Sequence, residues 1–298
     1  MTKLIRKGIR YLSFRRFFCW MPDRPYLKML YWARTGRHLN LSDPQTFNEK
    51  LQWLKLYDRK PVYTTMVDKY EAKQYVSKLI GEEHIVPTYG MWDSYDDIDF
   101  DSLPDQFVLK CTHDSGGSVI CTDKKTFSHD KARKKINRSL KRNYYCYSRE
   151  WPYKNVRPRV IAEQYMEDST QGIALTDYKL HCFNGVPKII LVCRDRHKKK
   201  GMTEDFFTEK WEHLPIKRPH HPNSAERIER PLQLSTMLEL AAVLSKGSPF
   251  MRVDFYIVGQ QVYFGEITFF PAGGMKPFEP EEWDRTFGQW IRLPEKPV

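Results

Sequence analysis

The hydrophobic period changes along the chain, and the changes mark its elements. From residue 24 to residue 80 apolar positions recur at helical spacing. Asn40–Pro44 reads as a turn, and Thr46-Phe47-Asn48-Glu49 reads as a capping box opening a helix that carries Leu51, Leu54 and Leu56. A second helix is predicted from Thr65 to Leu79, stopping at Gly81. The pattern then shortens to strands: Ile85–Tyr89, an acidic connection, then Gln106–Cys111 and Val119–Thr122 as a hairpin around polar Thr112–Ser118. Residues 128–143 predict a basic helix, and Val160–Tyr165, Asp177–Asn184 and Pro187–Arg194 predict strands. Residues 195–230 are polar and read as a long irregular loop, and Leu232–Leu244 as an amphipathic helix. Two strands beginning at Arg252, joined by a tight turn, end at the Pro271–Gly274 turn. Helices first, then antiparallel strands with interspersed helices, give an α+β fold with two lobes.

The terminal strands carry the most informative chemistry. Arg252 and Asp254 share one strand face, as do Glu266 and Thr268. A cation and two carboxylates on neighbouring strands can hold Mg²⁺ and a polyphosphate. The register decides whether they meet. A two-residue turn at Gly259-Gln260 would oppose Val253 to Glu266 and split the carboxylates, whereas a loop of Gly259-Gln260-Gln261 would set Asp254 opposite Glu266. A metal site here requires the odd loop or a bulge.

Composition narrows the partners. The chain has 298 residues and a formal net charge of +12, which favours an anionic partner. The cysteines, at positions 19, 111, 121, 146, 182 and 193, form no CxxC pair, which predicts reduced thiols in a cytoplasmic protein. Neither a signal-peptide pattern nor a membrane-spanning apolar run is visible. Residues 1–21 interleave Lys3, Arg6, Lys7, Arg10, Arg15 and Arg16 with aliphatic and aromatic side chains, and Pro22 ends the segment. This reads either as a basic helix at the membrane surface or as a helix packed on the domain.

Other motifs are weaker singly. Lys110 at a strand end, followed by Gly116, Gly117 and Ser118, suits phosphate binding. His113 has no Ser/Asp partners at triad spacing and reads as a loop residue in reach of phosphate or substrate. The strand ending at Glu163 can offer hinge backbone to an adenine edge. Lys179 can reach phosphate, and Arg194 stands at a strand end. The basic helix lacks an accompanying nucleic-acid motif, so it reads as a solvated face, then as a patch for acidic glycan, and no nucleic acid is expected.

Taken in order, TFNEKLQWLKLYDRKP, the VDKY segment at Val67–Tyr70, LPDQFVLKCTHDSGGS, RVIAEQYMED, DYKLHCFNGVPK and RVDFYIVGQQVYFGEITFFPAGG resemble the ATP-grasp superfamily. The resemblance is closest to the TupA-like ATP-grasp family of bacterial surface-polysaccharide gene clusters, over about residues 40–295. It implies two α+β subdomains, at 85–160 and 161–298, behind a helical region at 1–84. It also implies ATP and Mg²⁺ as cofactors. By position, Lys69, Lys110 and Lys179 look like phosphate or adenine contacts, and Gly116, Gly117 and Ser118 like the loop over the phosphates. Glu163 to Met166 look like the adenine hinge, and Asp168 like a ribose contact. Asp254, Glu266 and Thr268 look like metal ligands, and Arg252 like the cation at the transferring phosphoryl group. His113, Arg194, Gly273 and Gly274 are expected at the substrate. Thr268 departs from the family pattern, which places Asn there. The implied function is a carboxylate–amine ligase joining a uronic acid of a surface polysaccharide to an amino acid or other amine. The alternatives are a glycosyltransferase and a non-catalytic scaffold on glycan or membrane. The expected location is the cytoplasm, peripherally at the inner face of the bacterial membrane.

Overall fold

The computed structural model describes residues 2–167, 175–194 and 201–296. Helices α1 (Thr2–Phe14), α2 (Asp23–Thr35), α3 (Phe47–Tyr57), α4 (Val62–Val67) and α5 (Glu71–Ile80) lead the chain. The capping box is present: Thr46 Oγ1 accepts from Glu49 N, and Glu49 Oε2 accepts from Thr46 N. The helix expected over Thr65–Leu79 is instead split at Asp68. Its Oδ1 accepts from Tyr70 N and Glu71 N, a local capture of backbone donors that competes with helix continuation. The break leaves Lys69 outside either helix, its N–H bonded to Thr112 O at 3.0 Å.

The first sheet contains β1 (Thr88–Trp92), β2 (Phe107–Cys111), β3 (Val119–Cys121) and β4 (Val160–Gln164) in the order β1-β4-β2-β3. Helix α6 (His129–Leu140) covers it through Ala132 and Ile136, which join Phe107, Leu109 and Val160 in a separate small core. Strand β4, which the sequence places mainly in the second subdomain, is central to this first sheet. A short helix, α7 (Tyr145–Ser148), precedes it.

The second sheet has the order β10-β9-β5-β6-β7-β8. Its strands are β5 (Asp177–Phe183), β6 (Val186–Arg194), β7 (Thr203–Thr208), β8 (His213–Leu214), β9 (Phe250–Val258) and β10 (Gln261–Thr268). The expected irregular stretch at 195–230 thus adds β7 and β8 to the sheet. Thr203–Thr208 sets Phe206 and Phe207 among polar residues, and Phe207 packs on Trp211 across the turn. Helix α8 (Leu234–Ser245) packs on one face of this sheet, and α9 (Glu282–Trp290) lies against α3. The fold is α+β, with antiparallel pairing throughout both sheets.

Cys19 and Cys146 form a disulfide, their Cα atoms 5.3 Å apart. The expectation of uniformly reduced thiols is corrected at this pair. The cysteines lie 127 residues apart, so no local spacing signals their meeting. The remaining four are unbridged and buried.

Candidate active site

The last hairpin uses the bulge and not the odd loop. The turn holds only Gly259 and Gln260, since Val258 pairs with Gln261, but a bulge at Gly265 shifts the ladder so that Glu266 opposes Asp254 and Thr268 opposes Arg252. On the other side of β9, Lys179 opposes Asp254. Lys179, Asp254 and Glu266 therefore stand abreast on one face. A Cβ added at Gly265 would lie 2.9 Å from Tyr256 Cε2 and 3.1 Å from the Asp254 carbonyl oxygen. Gly265→Val should cost about 1–3 kcal/mol in urea unfolding and lower activity further by tilting Glu266 out of the row.

Arg252 clamps this row. Its Nε donates to Asp254 Oδ1 at 2.6 Å, and Nη2 donates to Asp254 Oδ2 at 2.7 Å and to Glu266 Oε1 and Thr268 Oγ1, each at 3.0 Å. Lys179 Nζ also donates to Asp254 Oδ2. Burial alone would raise the Asp254 carboxyl, but Arg252 and Lys179 outweigh it and hold it at about 2. Burial likewise opposes charge on Arg252, yet Asp254 and Glu266 push its pKa above the usual guanidinium range. Glu266 keeps 39% of its side chain exposed. Thr268 accepts from Arg252 and donates to Glu266 Oε1 at 3.4 Å, so its hydroxyl serves the clamp.

The first sheet carries a matching charge group. Glu163 on β4 receives Lys73 at 2.7 Å on Oε1 and Lys110 on Oε2. Burial would raise its carboxyl, but Lys110 and Lys73 bring it down to about 2. Glu163 is thus committed to orienting two lysines, while Tyr165 and Met166 beyond it are half-buried. Lys69 Nζ donates to the Asp114 carbonyl at the base of the Gly-rich loop, where Gly116 and Ser118 are exposed and Gly117 is half-buried. Lys69 and Glu266 line one small cavity together with Gly265 and Tyr153. That cavity brings Lys69 and Glu266 to a common surface.

The Pro271–Gly274 turn is braced from below. Ala272, Gly273 and Gly274 all have left-handed φ, between 53° and 67°. A Cβ at Gly274 would stand 2.6 Å from Gln52 Nε2. Gln52 donates to Gly273 O and Gly274 O at 3.2 and 2.7 Å, and Lys55 Nζ donates to Gly273 O at 2.7 Å and Ser148 O at 2.9 Å. Lys55 is fully buried, which lowers its pKa to about 7 against the pull of Glu150. Glu150 is itself raised by burial, although Lys55, Arg34 and Arg252 favour its charge. Gly273 and Gly274 are buried, and the Gly273 N–H donates to Phe270 O at 2.8 Å, so this N–H supports the turn.

The remaining expected residues fall elsewhere. His113 is buried, with Nε2 3.1 Å from Ser139 O, and its ring faces α6. Burial lowers its pKa, against the pull of Asp114. Arg194 ends β6 opposite Thr203. Cys193, the residue before it, shares the cleft face with Asp177 and Glu204, so alternation turns Arg194 to the other face. Asp168 lies outside the described residues. Sequence reasoning missed Lys73, Gln52, Lys55, Glu150 and Arg34. A signal existed for Gln52 and Lys55, polar residues set on the Leu51–Leu54 stripe of α3. Lys73 follows Lys69 by four positions, across the break that precedes α5.

The donor set fits Mg²⁺. That ion is held by one or two carboxylates and completes its shell with waters and phosphate oxygens. Asp254 and Glu266 supply those carboxylates, and among the described residues no cluster of three or more His, Cys, Asp or Glu forms an all-protein cage. Lys69, Lys110 and Lys179 supply cations of the kind a polyphosphate requires.

A family model described as TupA-like ATPgrasp matches residues 49–292. Curated proteins give no match. Among solved structures, D-alanine–D-alanine ligase from Bacillus anthracis complexed with ATP is 18% identical, with a TM-score of 0.40, over 76% of this chain and 58% of that one. D-alanine–D-alanine ligase from Helicobacter pylori is 16% identical, with a TM-score of 0.42, over 83% and 69%. A RimK domain ATP-grasp protein from Sphaerobacter thermophilus is 11% identical, with a TM-score of 0.42, over 79% and 70%. The chain spans 58% of the length of the first of these.

Proposed function

The chain belongs to the TupA-like ATP-grasp family, and from that premise we propose that it is an ATP-dependent carboxylate–amine ligase. The substrates we assign are a uronic acid of a surface polysaccharide or its precursor and an amino acid or other amine. The observation that carries the reading is the row Lys179–Asp254–Glu266 with Arg252 clamped across it. The net charge of +12 suits an acidic saccharide.

A carboxylate is a poor electrophile because oxide is a poor leaving group. Mg·ATP would supply the phosphoryl group that converts one carboxylate oxygen into a leaving group. Asp254 and Glu266 would hold the metal, and Lys69, Lys110 and Lys179 would neutralise the phosphates. Arg252 sits where it offsets the repulsion between two approaching anions, a fixed charge already oriented by Asp254. Glu163, itself buried, pairs with Lys110 and orients it. Gln52 and Lys55 fix the Pro271–Gly274 turn beside the reacting carboxylate. In the second half, the amine nitrogen attacks the acyl carbon, phosphate leaves with one original carboxylate oxygen, and the amine proton passes to solvent.

The test is ADP release from the full-length chain over a panel of uronates and amino acids. Sustained ADP release requires both substrates, and ¹⁸O from a labelled carboxylate appears in phosphate. Turnover that needs a nucleotide sugar and ignores ATP would instead establish a glycosyltransferase and overturn the reading.

A further inference from the structure

Helix α1 packs with its polar side inward. At about 100° per residue, Leu4, Ile5, Tyr11 and Leu12 share one side of the helix, and Arg6 and Ser13 the other. A surface helix ordinarily buries the apolar side. Here Ser13 is the buried residue, while Leu4 is 76% exposed and Ile5, Tyr11 and Leu12 are exposed beside it. Phe17 and Trp20 extend the exposed apolar strip, Trp20 at 74%.

Polar contacts and a disulfide hold the segment, beside the packing of Phe18 and Met21 on the core and of Phe14 on Tyr147. Arg6 donates from Nε to Ala33 O and from Nη2 to Arg34 O, each at 3.3 Å, at the end of α2. Arg16 Nη1 donates to Lys141 O at 3.2 Å. Arg149 Nη2 donates to Phe18 O and Met21 O, both at 2.9 Å, and the Cys19–Cys146 disulfide ties the same stretch to α7. The apolar strip is held outward by an anchored scaffold and is not left over from loose packing. Lys3, Lys7 and Arg10 are exposed around it.

We propose that α1 and the Phe17–Trp20 segment form a docking surface for an anionic phospholipid bilayer. The apolar strip enters the headgroup–acyl boundary, Trp20 and Phe17 sit at the interface, and Lys3, Lys7 and Arg10 meet acidic headgroups. Charge complementarity selects this occupant, because a protein groove for the strip would leave the surrounding cations unmatched. The surface also borders a cavity. Phe14, Arg15 and Arg16 continue from α1 into a cavity of about 540 Å³ shared with Asp114, Ser115 and Tyr147. The surface proposal stands independently of the ligase reading.

Co-sedimentation of the full-length chain with vesicles tests it. Phosphatidylcholine containing about 30% phosphatidylglycerol should bind on the order of a hundredfold more tightly than phosphatidylcholine alone. Leu4→Ser/Ile5→Ser/Leu12→Ser should weaken that binding at least about tenfold without altering the melting curve. Equal binding to both vesicles, or full binding by the serine variant, overturns the proposal. If the serine variant does not fold, Lys3→Gln/Lys7→Gln decides: loss of binding supports the surface, and unchanged binding overturns it.

Discussion

Glu266→Gln lowers Mg²⁺-dependent ATP turnover by about a thousandfold while leaving the melting curve nearly unchanged. The two halves of this expectation come from the same geometry. Glu266 is half-buried, and its Oε1 accepts from Arg252 and Thr268. A glutamine amide oxygen can accept both bonds, so packing persists. The variant loses the negative charge, which is what a metal ligand in this row must provide. Steady-state ADP release and urea unfolding on the same preparation check the two halves. A variant that retains turnover removes Glu266 from the site.

Arg252→Met destabilises the protein by about 3–5 kcal/mol and abolishes turnover. The cost arises from Asp254, which is fully buried and loses the clamp on both oxygens, keeping only Lys179. The pH dependence follows. The Asp254 carboxyl lies at about 2 in the folded protein, below its ordinary 3.8. Its contribution to stability is complete above 3.8 and is lost as pH falls toward about 2. Without Arg252 the carboxyl rises and that acid-sensitive contribution shrinks. Adding Asp254→Asn to Arg252→Met should recover part of the lost stability, because the uncompensated charge is then gone. Denaturant unfolding between pH 3 and pH 7 reads the single and double variants together. Simple additivity of the two costs would show that Arg252 and Asp254 do not act as a pair.

Much of this arrangement was legible in residue order. The capping box at Thr46–Glu49 and the hairpin around Thr112–Ser118 follow from local preferences that tertiary packing did not override. Asp254 and Glu266 could be named as a pair, but their meeting depended on a bulge. Gly265 is the only residue between Phe264 and Glu266, and its lack of a Cβ beside Tyr256 makes the shift sterically open. Other features had no local signature. Lys73 meets Glu163 across 90 positions of sequence, and nothing near either residue announces the contact. The split at Asp68 escaped a periodicity reading because the apolar pattern runs through it while the Asp68 side chain takes the backbone donors. Strands β7 and β8 escaped because β7 carries only two apolar residues among polar ones and β8, at the sheet edge, is two residues long. Gln52 and Lys55 escaped because buried polar residues on an apolar helix stripe gain meaning only from the turn they brace.

Calorimetric titration of Mg·ATP into the full-length chain tests the central claim most directly. The account predicts saturable heat with one nucleotide per chain. It also predicts that binding weakens on chelation of Mg²⁺ and is lost in Lys110→Met/Lys179→Met. Absence of binding at millimolar Mg·ATP, or binding indifferent to Mg²⁺ and to both lysines, would contradict it.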